Sequence, residues 1–114
     1  MSQSHSRTPP KPRAHALLFA ALGDETRLAL VTALSAGEPP SISQLAAGSS
    51  LTRQAVTKHL RVLERAGIVR SVRRGRESLF AFDPTPINDL HSYLEQVSRQ
   101  WDQTLSSLKS FVEG

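Results

Sequence analysis

The chain has 114 residues, 39% of them hydrophobic, and carries 14 Lys+Arg against 10 Asp+Glu. That length predicts one domain with a modest core that a second subunit would help to complete, and the basic balance favours a polyanionic partner. Zero cysteines exclude a disulfide framework, a thiolate metal site and a thiol redox switch. No run of about 18 apolar residues exists to span a membrane, and the N-terminus lacks the apolar stretch of a secretory signal, so a cytoplasmic location is expected.

Residues 1–13 (MSQSHSRTPPKPR) are Ser, Pro and basic with almost nothing apolar, and predict a disordered basic tail. Arg7, Lys11 and Arg13 could brush a nucleic-acid backbone, but a solvated terminus is the simpler reading. The remainder, 14–114, is predicted to form one domain. Its first helix, Ala14 to Leu22, is apolar nearly all round except His15, so Leu17 and Leu18 are expected to meet a second copy of the chain. Gly23 ends that helix and Asp24 caps the next, with Glu25 favourably placed in its first turn. Leu28, Val31 and Leu34 are expected as its buried stripe, and Gly37 with Pro39-Pro40 stops it. Ser43 is expected to cap a third, short helix, with Ile42 as a hydrophobic staple and Leu45 and Ala46 facing inward. A turn through Gly48 to Leu51 follows, Leu51 plugging the core.

Thr52 is a natural N-cap for the fourth helix, Thr52 to Ala66, and Gly67 a natural left-handed stop. At about 100° per residue, Arg53, Gln54, Thr57, Lys58, Arg61 and Arg65 fall on one arc of roughly 140°. The opposite arc holds Ala55, Val56, His59, Leu60, Val62, Leu63 and Ala66. One face therefore packs on the domain while the other presents cations and an amide outward, a set suited to a DNA major groove. Arg reads guanine O6/N7, Gln reads adenine N6/N7, and Lys and Thr reach phosphates, while Arg61 is expected, with Arg74 and Arg76, to fix register on phosphates. A basic helix face is often merely solvated. Here the charge is concentrated: residues 53–76 hold eight Lys+Arg against one acid, Glu64, whereas residues 77–114 hold two against six acids, the footprint expected of nucleic-acid binding.

β-Branched and aromatic residues from Ile68 to Phe82 predict two strands joined at Arg73-Arg74-Gly75-Arg76, with Arg74-Gly75 at the tip. Helix-turn-helix plus hairpin is a winged helix-turn-helix, mainly α with a β-hairpin wing, whose Arg73, Arg74 and Arg76 would lie beside phosphates or a minor groove. Thr85-Pro86 reads as N-cap and N1 of a last helix. Its apolar positions, Ile87, Leu90, Leu94, Val97, Trp101, Leu105, Leu108 and Phe111, follow a heptad up to Trp101. A helix of about 25 residues is about 37 Å long, more than so small a domain can cover. Ile87 through Leu108 are therefore expected in a homodimer seam.

In Leu22-Gly23-Asp24-Glu25-Thr26-Arg27-Leu28, Ile42-Ser43-Gln44-Leu45-Ala46, the run Ala55 to Val69, and Arg74-Gly75-Arg76, the chain resembles the ArsR family of winged-helix bacterial transcription regulators. The family usually has Pro where Glu25 stands. The resemblance implies a homodimer joined through its first and last helices, binding a palindromic operator as a repressor that an effector releases. Thiolate sensing of arsenic, cadmium or lead is excluded chemically, because Cys is absent. Zinc-type members begin their last-helix site with Asp-x-His, which Asp89-Leu90-His91 matches. Where the second pair of ligands would fall stand Asp102, which could ligate, and Leu105, which cannot. Asp89, His91 and Asp102 offer at most three ligands with one imidazole, short of a zinc site, so no metal or other cofactor is expected. A zinc-responsive repressor with a degenerate site remains an alternative. Residues 98–113 are similar to the tail of metal-independent members, leaving a small apolar effector, a protein effector, or none.

His59 is expected as a satisfied core histidine, His91 beside the dimer seam, and His5 and His15 in no constellation. A winged-helix module that binds protein is the competing function, and it predicts salt-insensitive affinity. No nucleophile is paired with a base and no Gly-rich phosphate loop occurs, so an enzyme is not expected.

Overall fold

The computed structural model describes residues 11–113. The order is α1 (Lys11–Leu22), α2 (Glu25–Leu34), α3 (Ile42–Ala47), α4 (Arg53–Arg65), β1 (Val69–Arg74), β2 (Glu77–Phe82) and α5 (Thr85–Glu113). The expected tail lies outside the described residues up to residue 10. Lys11, Pro12 and Arg13, assigned to that tail from sequence, form the first turn of α1 instead. Proline is at home there, since its fixed φ suits a helix and its missing N–H would have no partner in a first turn.

Local chemistry sets most of the helix ends. The Asp24 carboxylate accepts from the Arg27 backbone N–H at 3.0 Å, and the Thr52 hydroxyl accepts from that of Ala55 at 3.1 Å. The start of α3 differs from expectation: Ser41, not Ser43, is the cap, and Ile42 is the first helical residue. Gln44 stands three residues after Ser41 and completes a reciprocal box, donating its N–H to Ser41 Oγ at 3.1 Å and accepting from the Ser41 N–H at 2.8 Å. Ser43 has Ala46 at that spacing and could close no such pair. α4 ends before Gly67, whose φ of +80° is left-handed.

The wing is a two-stranded antiparallel sheet running from Val69↔Phe82 at its base to Arg74↔Glu77 at its end. Its tip is Gly75-Arg76, one residue later than expected. Gly75 has φ +63° and no non-glycine residue described has positive φ, the pattern of a hairpin turn with glycine at its first central position. β2 is fastened at its outer edge, where the Phe80 N–H donates to the Pro40 carbonyl at 3.2 Å and Leu79 bridges Ser41.

Val56, Leu60, Leu63, Ile68, Val69 and Phe80 are sealed from solvent, joined by Leu18, Ala21, Leu30, Leu34 and Leu90. Leu51 packs at the margin of this core as expected. The expected stripe of α2 and part of the expected seam are corrected. Leu28 is 51% exposed and Leu30 takes its place, because α2 is apolar on every side and its periodicity carries no phase. Leu18 and Leu90, assigned to a dimer seam, are buried within the chain, and Ile87 packs against the same core. Leu18 occupies the inward side of α1, and the first turns of α5 cross the body before the helix leaves it. Beyond Leu90 every described residue of α5, from His91 to Glu113, is exposed. Leu94, Val97, Trp101, Leu105 and Leu108 lie on that free length, and Leu17 and Phe19 are exposed on α1.

Candidate nucleic-acid interface

α4 is positioned from below by Val56, Leu60 and Leu63, which fixes what its other face presents. Arg53, Gln54 and Lys58 are exposed and Thr57 half-buried, and these four line one open surface depression. The Thr57 hydroxyl donates to the Arg53 carbonyl at 2.7 Å, so its oxygen can still accept a hydrogen bond. Arg53 sits in the first turn, where the positive end of the helix dipole disfavours a cation. Helix stability does not explain a cation there.

On the wing, Arg73, Arg74 and Arg76 are exposed. Among the described residues none of these three, nor Arg53 or Lys58, is in an ion pair, the pairs being His59 with Asp24, Arg61 with Glu64 and His91 with Glu95. The cations expected to meet phosphate are thus uncommitted, except Arg61. Its guanidinium donates to Glu64 at 2.7 Å, lies 3.5 Å from the Ser71 hydroxyl and stands 5.9 Å from the Phe80 ring centroid. The Arg61 and Ser71 hydrogen bonds hold the Glu64 carboxyl below its ordinary range. Sequence reasoning missed this arrangement, although the i,i+3 spacing of Arg61 and Glu64 was a signal for half of it.

His59 is half-buried and satisfied, close to expectation. Arg27 donates to its Nδ1 at 3.3 Å, and because Arg can only donate, that nitrogen is the acceptor. The 3.8 Å approach of Asp24 to the same nitrogen is therefore proximity rather than a bond. Arg27 also donates to the carbonyls of Ala21 at 2.6 Å and Ala20 at 3.3 Å, tying the end of α1 to α4. The Arg27 N–H at the cap holds the Asp24 carboxyl below its usual range. His15, expected in no constellation, has one aromatic neighbour: its ring lies 4.5 Å from that of Tyr93 on α5. His5 lies outside the described residues.

The structure does not gather Asp89, His91 and Asp102. His91 is 73% exposed, with Glu95 at 3.9 Å as its neighbour, and Asp102 stands three turns further along the same helix. Among the described residues no three His, Cys, Asp or Glu side chains of one chain converge. No described helix is long and apolar enough to cross a membrane.

Residues 22–72 match a sequence family described as a helix-turn-helix domain. The chain is 32% identical over 93 residues to the HTH-type transcriptional regulator Rv2034 of Mycobacterium tuberculosis, covering 82% of this chain and 83% of that protein. It is 38% identical over 79 residues to the uncharacterized HTH-type transcriptional regulator YuzN of Bacillus subtilis, covering 64% and 86%. Among solved structures it is similar to an ArsR-like transcriptional regulator from Rhodococcus sp. RHA1, with TM-score 0.79 and 36% identity over 89% of this chain and 94% of that one. At 17% identity, a homodimeric winged helix-turn-helix domain from Mycobacterium bovis shares the fold, with TM-score 0.64 over 88% and 89%.

Proposed function

This chain belongs to the ArsR family of winged helix-turn-helix transcriptional regulators, and from that premise we infer that it is a dimeric repressor of a palindromic operator. The observation that carries the reading is the uncommitted face of α4: Arg53, Gln54, Thr57 and Lys58 around one depression, flanked by Arg73, Arg74 and Arg76 of the wing. α4 enters the major groove, Arg53 and Gln54 hydrogen-bond base edges, and Thr57 and Lys58 add base or phosphate contacts. The wing cations take phosphates of the flanking backbone.

One α4 reads a half-site only. The apolar face of α5, with Leu17 of α1, supports pairing of two copies, and the M. bovis neighbour is itself homodimeric. A two-fold dimer sets its recognition helices about 34 Å apart, so its operator is an imperfect palindrome with half-sites one helical turn apart. Occupying it occludes a promoter in the cytoplasm. The family assignment and the absence of any nucleophile–base pairing in the sequence support a regulator rather than an enzyme.

Fluorescence anisotropy tests the reading. The probes are the tightest duplex the protein selects from a randomised library and a scrambled duplex of the same composition. Selective binding that weakens about a thousandfold between low and moderate salt, as six or more phosphate contacts require, supports it. Affinity indifferent to both sequence and salt would transfer the function to protein binding.

A further inference from the structure

The wing tip reaches phosphate only if it holds a fixed angle to α4, and the two strands are held differently. β2 is fastened by Pro40 and Ser41 on its outer edge and by the burial of Leu79 and Phe80. Among the described residues, Ser71 is the one β1 residue whose side chain hydrogen-bonds α4. Its hydroxyl donates to Glu64 Oε2 at 3.0 Å, while Glu64 Oε1 receives Arg61 at 2.7 Å. Ser71 and Phe80 are cross-strand partners and so share one side of the sheet. Arg61, near the Ser71 hydroxyl and over the Phe80 ring, therefore touches both strands at one rung.

We propose that Arg61, Glu64 and Ser71 form a clamp that sets the angle of the wing to the recognition helix, with Arg61 a positioning residue rather than a phosphate ligand. The inference rests on the DNA-binding reading and assigns the one acid of the basic region a role in it. Three rungs lie beyond the clamp, ending at Arg74↔Glu77. At about 3.3 Å per residue the tip projects about 10 Å. A swing of roughly 15° there moves Arg74 by about 2.6 Å, enough to break a contact that tolerates only 2.7–3.2 Å. The clamp thus decides whether helix and wing engage one backbone together.

Charge and geometry make opposite forecasts for one substitution. Glu64→Gln removes a negative charge beside DNA, so charge alone tightens binding to every duplex. The clamp predicts instead that operator binding weakens by about tenfold relative to scrambled DNA, the size of coupling a hydrogen-bonded charge network supports. Ser71→Ala loses one bond with no change of charge and follows the same direction, whereas Ser71→Thr keeps the hydroxyl on a strand-favouring residue and retains wild-type selectivity.

The full chain and its variants are titrated with the selected and scrambled duplexes, and amide hydrogen exchange of residues 69–82 is measured without DNA. Faster wing exchange in Glu64→Gln and Ser71→Ala, with α1 and α5 unchanged and selectivity lost, supports the clamp. Equal tightening on both duplexes with wing protection intact overturns it and returns Arg61 to the phosphate contacts. If the wild-type protein binds no DNA, the functional reading fails on that result, and the exchange data alone still decide the clamp.

Discussion

Trp101 offers the sharpest test of the paired assembly. It sits midway along the free length of α5 and is 59% exposed, which leaves about 120 Å² of the roughly 200 Å² such a residue presents. At about 25 cal/mol per Å² its burial is worth about 3 kcal/mol per subunit, and a two-fold interface counts the contribution twice. Ordering of side chains and imperfect pairing consume a large share of such a gain. If half is realised, Trp101→Ala weakens the dimer by about 3 kcal/mol, a rise of about a hundredfold in its dissociation constant. Sedimentation velocity over a concentration series reads this directly. Because Trp101 belongs to no part of the buried core, circular dichroism of the variant is expected to match wild type at concentrations where it is monomeric. An unchanged dissociation constant would remove α5 from the interface.

Other substitutions address the face, the core and the acid limb of stability. Gln54→Ala is expected to lower the preference for operator over random DNA by about 1–3 kcal/mol, whereas Arg74→Ala weakens both duplexes alike and reduces the salt slope by about one; anisotropy titrations at several salt concentrations that reversed this pattern would exchange the two roles. Leu60→Ala empties a site with no exposure and should cost about 2–5 kcal/mol in urea unfolding. A loss under 1 kcal/mol would contradict the placement of α4 on the core. Asp24 is held below its ordinary range by the Arg27 N–H, so its contribution is complete above the usual aspartate pKa and is lost as pH falls through the depressed folded value. Asp24→Asn keeps an equally good cap but no titration, and flattens the decline of stability below about pH 5. Thermal melts at successive acid pH values check this, a slope as steep as wild type being the contrary result.

Much of the candidate site is legible in the sequence because its signals are local. Thr52 and Gly67 bracket α4 with chemistry that acts within one turn, and the amphipathic pattern between them fixes which side faces out. The exposure of Arg53, Gln54 and Lys58 therefore follows from the helical pattern without reference to packing. Arg61 belongs to the same arc, but its contacts with Ser71 and Phe80 are not legible there, since these partners come from the wing and no helical period reports a contact with another element. His15 was similarly opaque, its neighbour Tyr93 standing far along the chain.

What the sequence determined by itself are the features that depend on a few neighbouring residues: the caps at Asp24 and Thr52, the left-handed Gly67, the glycine of the wing turn, and the basic face of α4. Tertiary structure alone decided which side of an evenly apolar helix goes inward, taking Leu18 and Leu30 into the core and leaving Leu17 and Leu28 outside. The reason is one of phase. A helix with polar residues on one side declares its orientation, whereas on α1 and α2 burial is equally favourable in several directions and only the shape of the neighbouring elements selects among them.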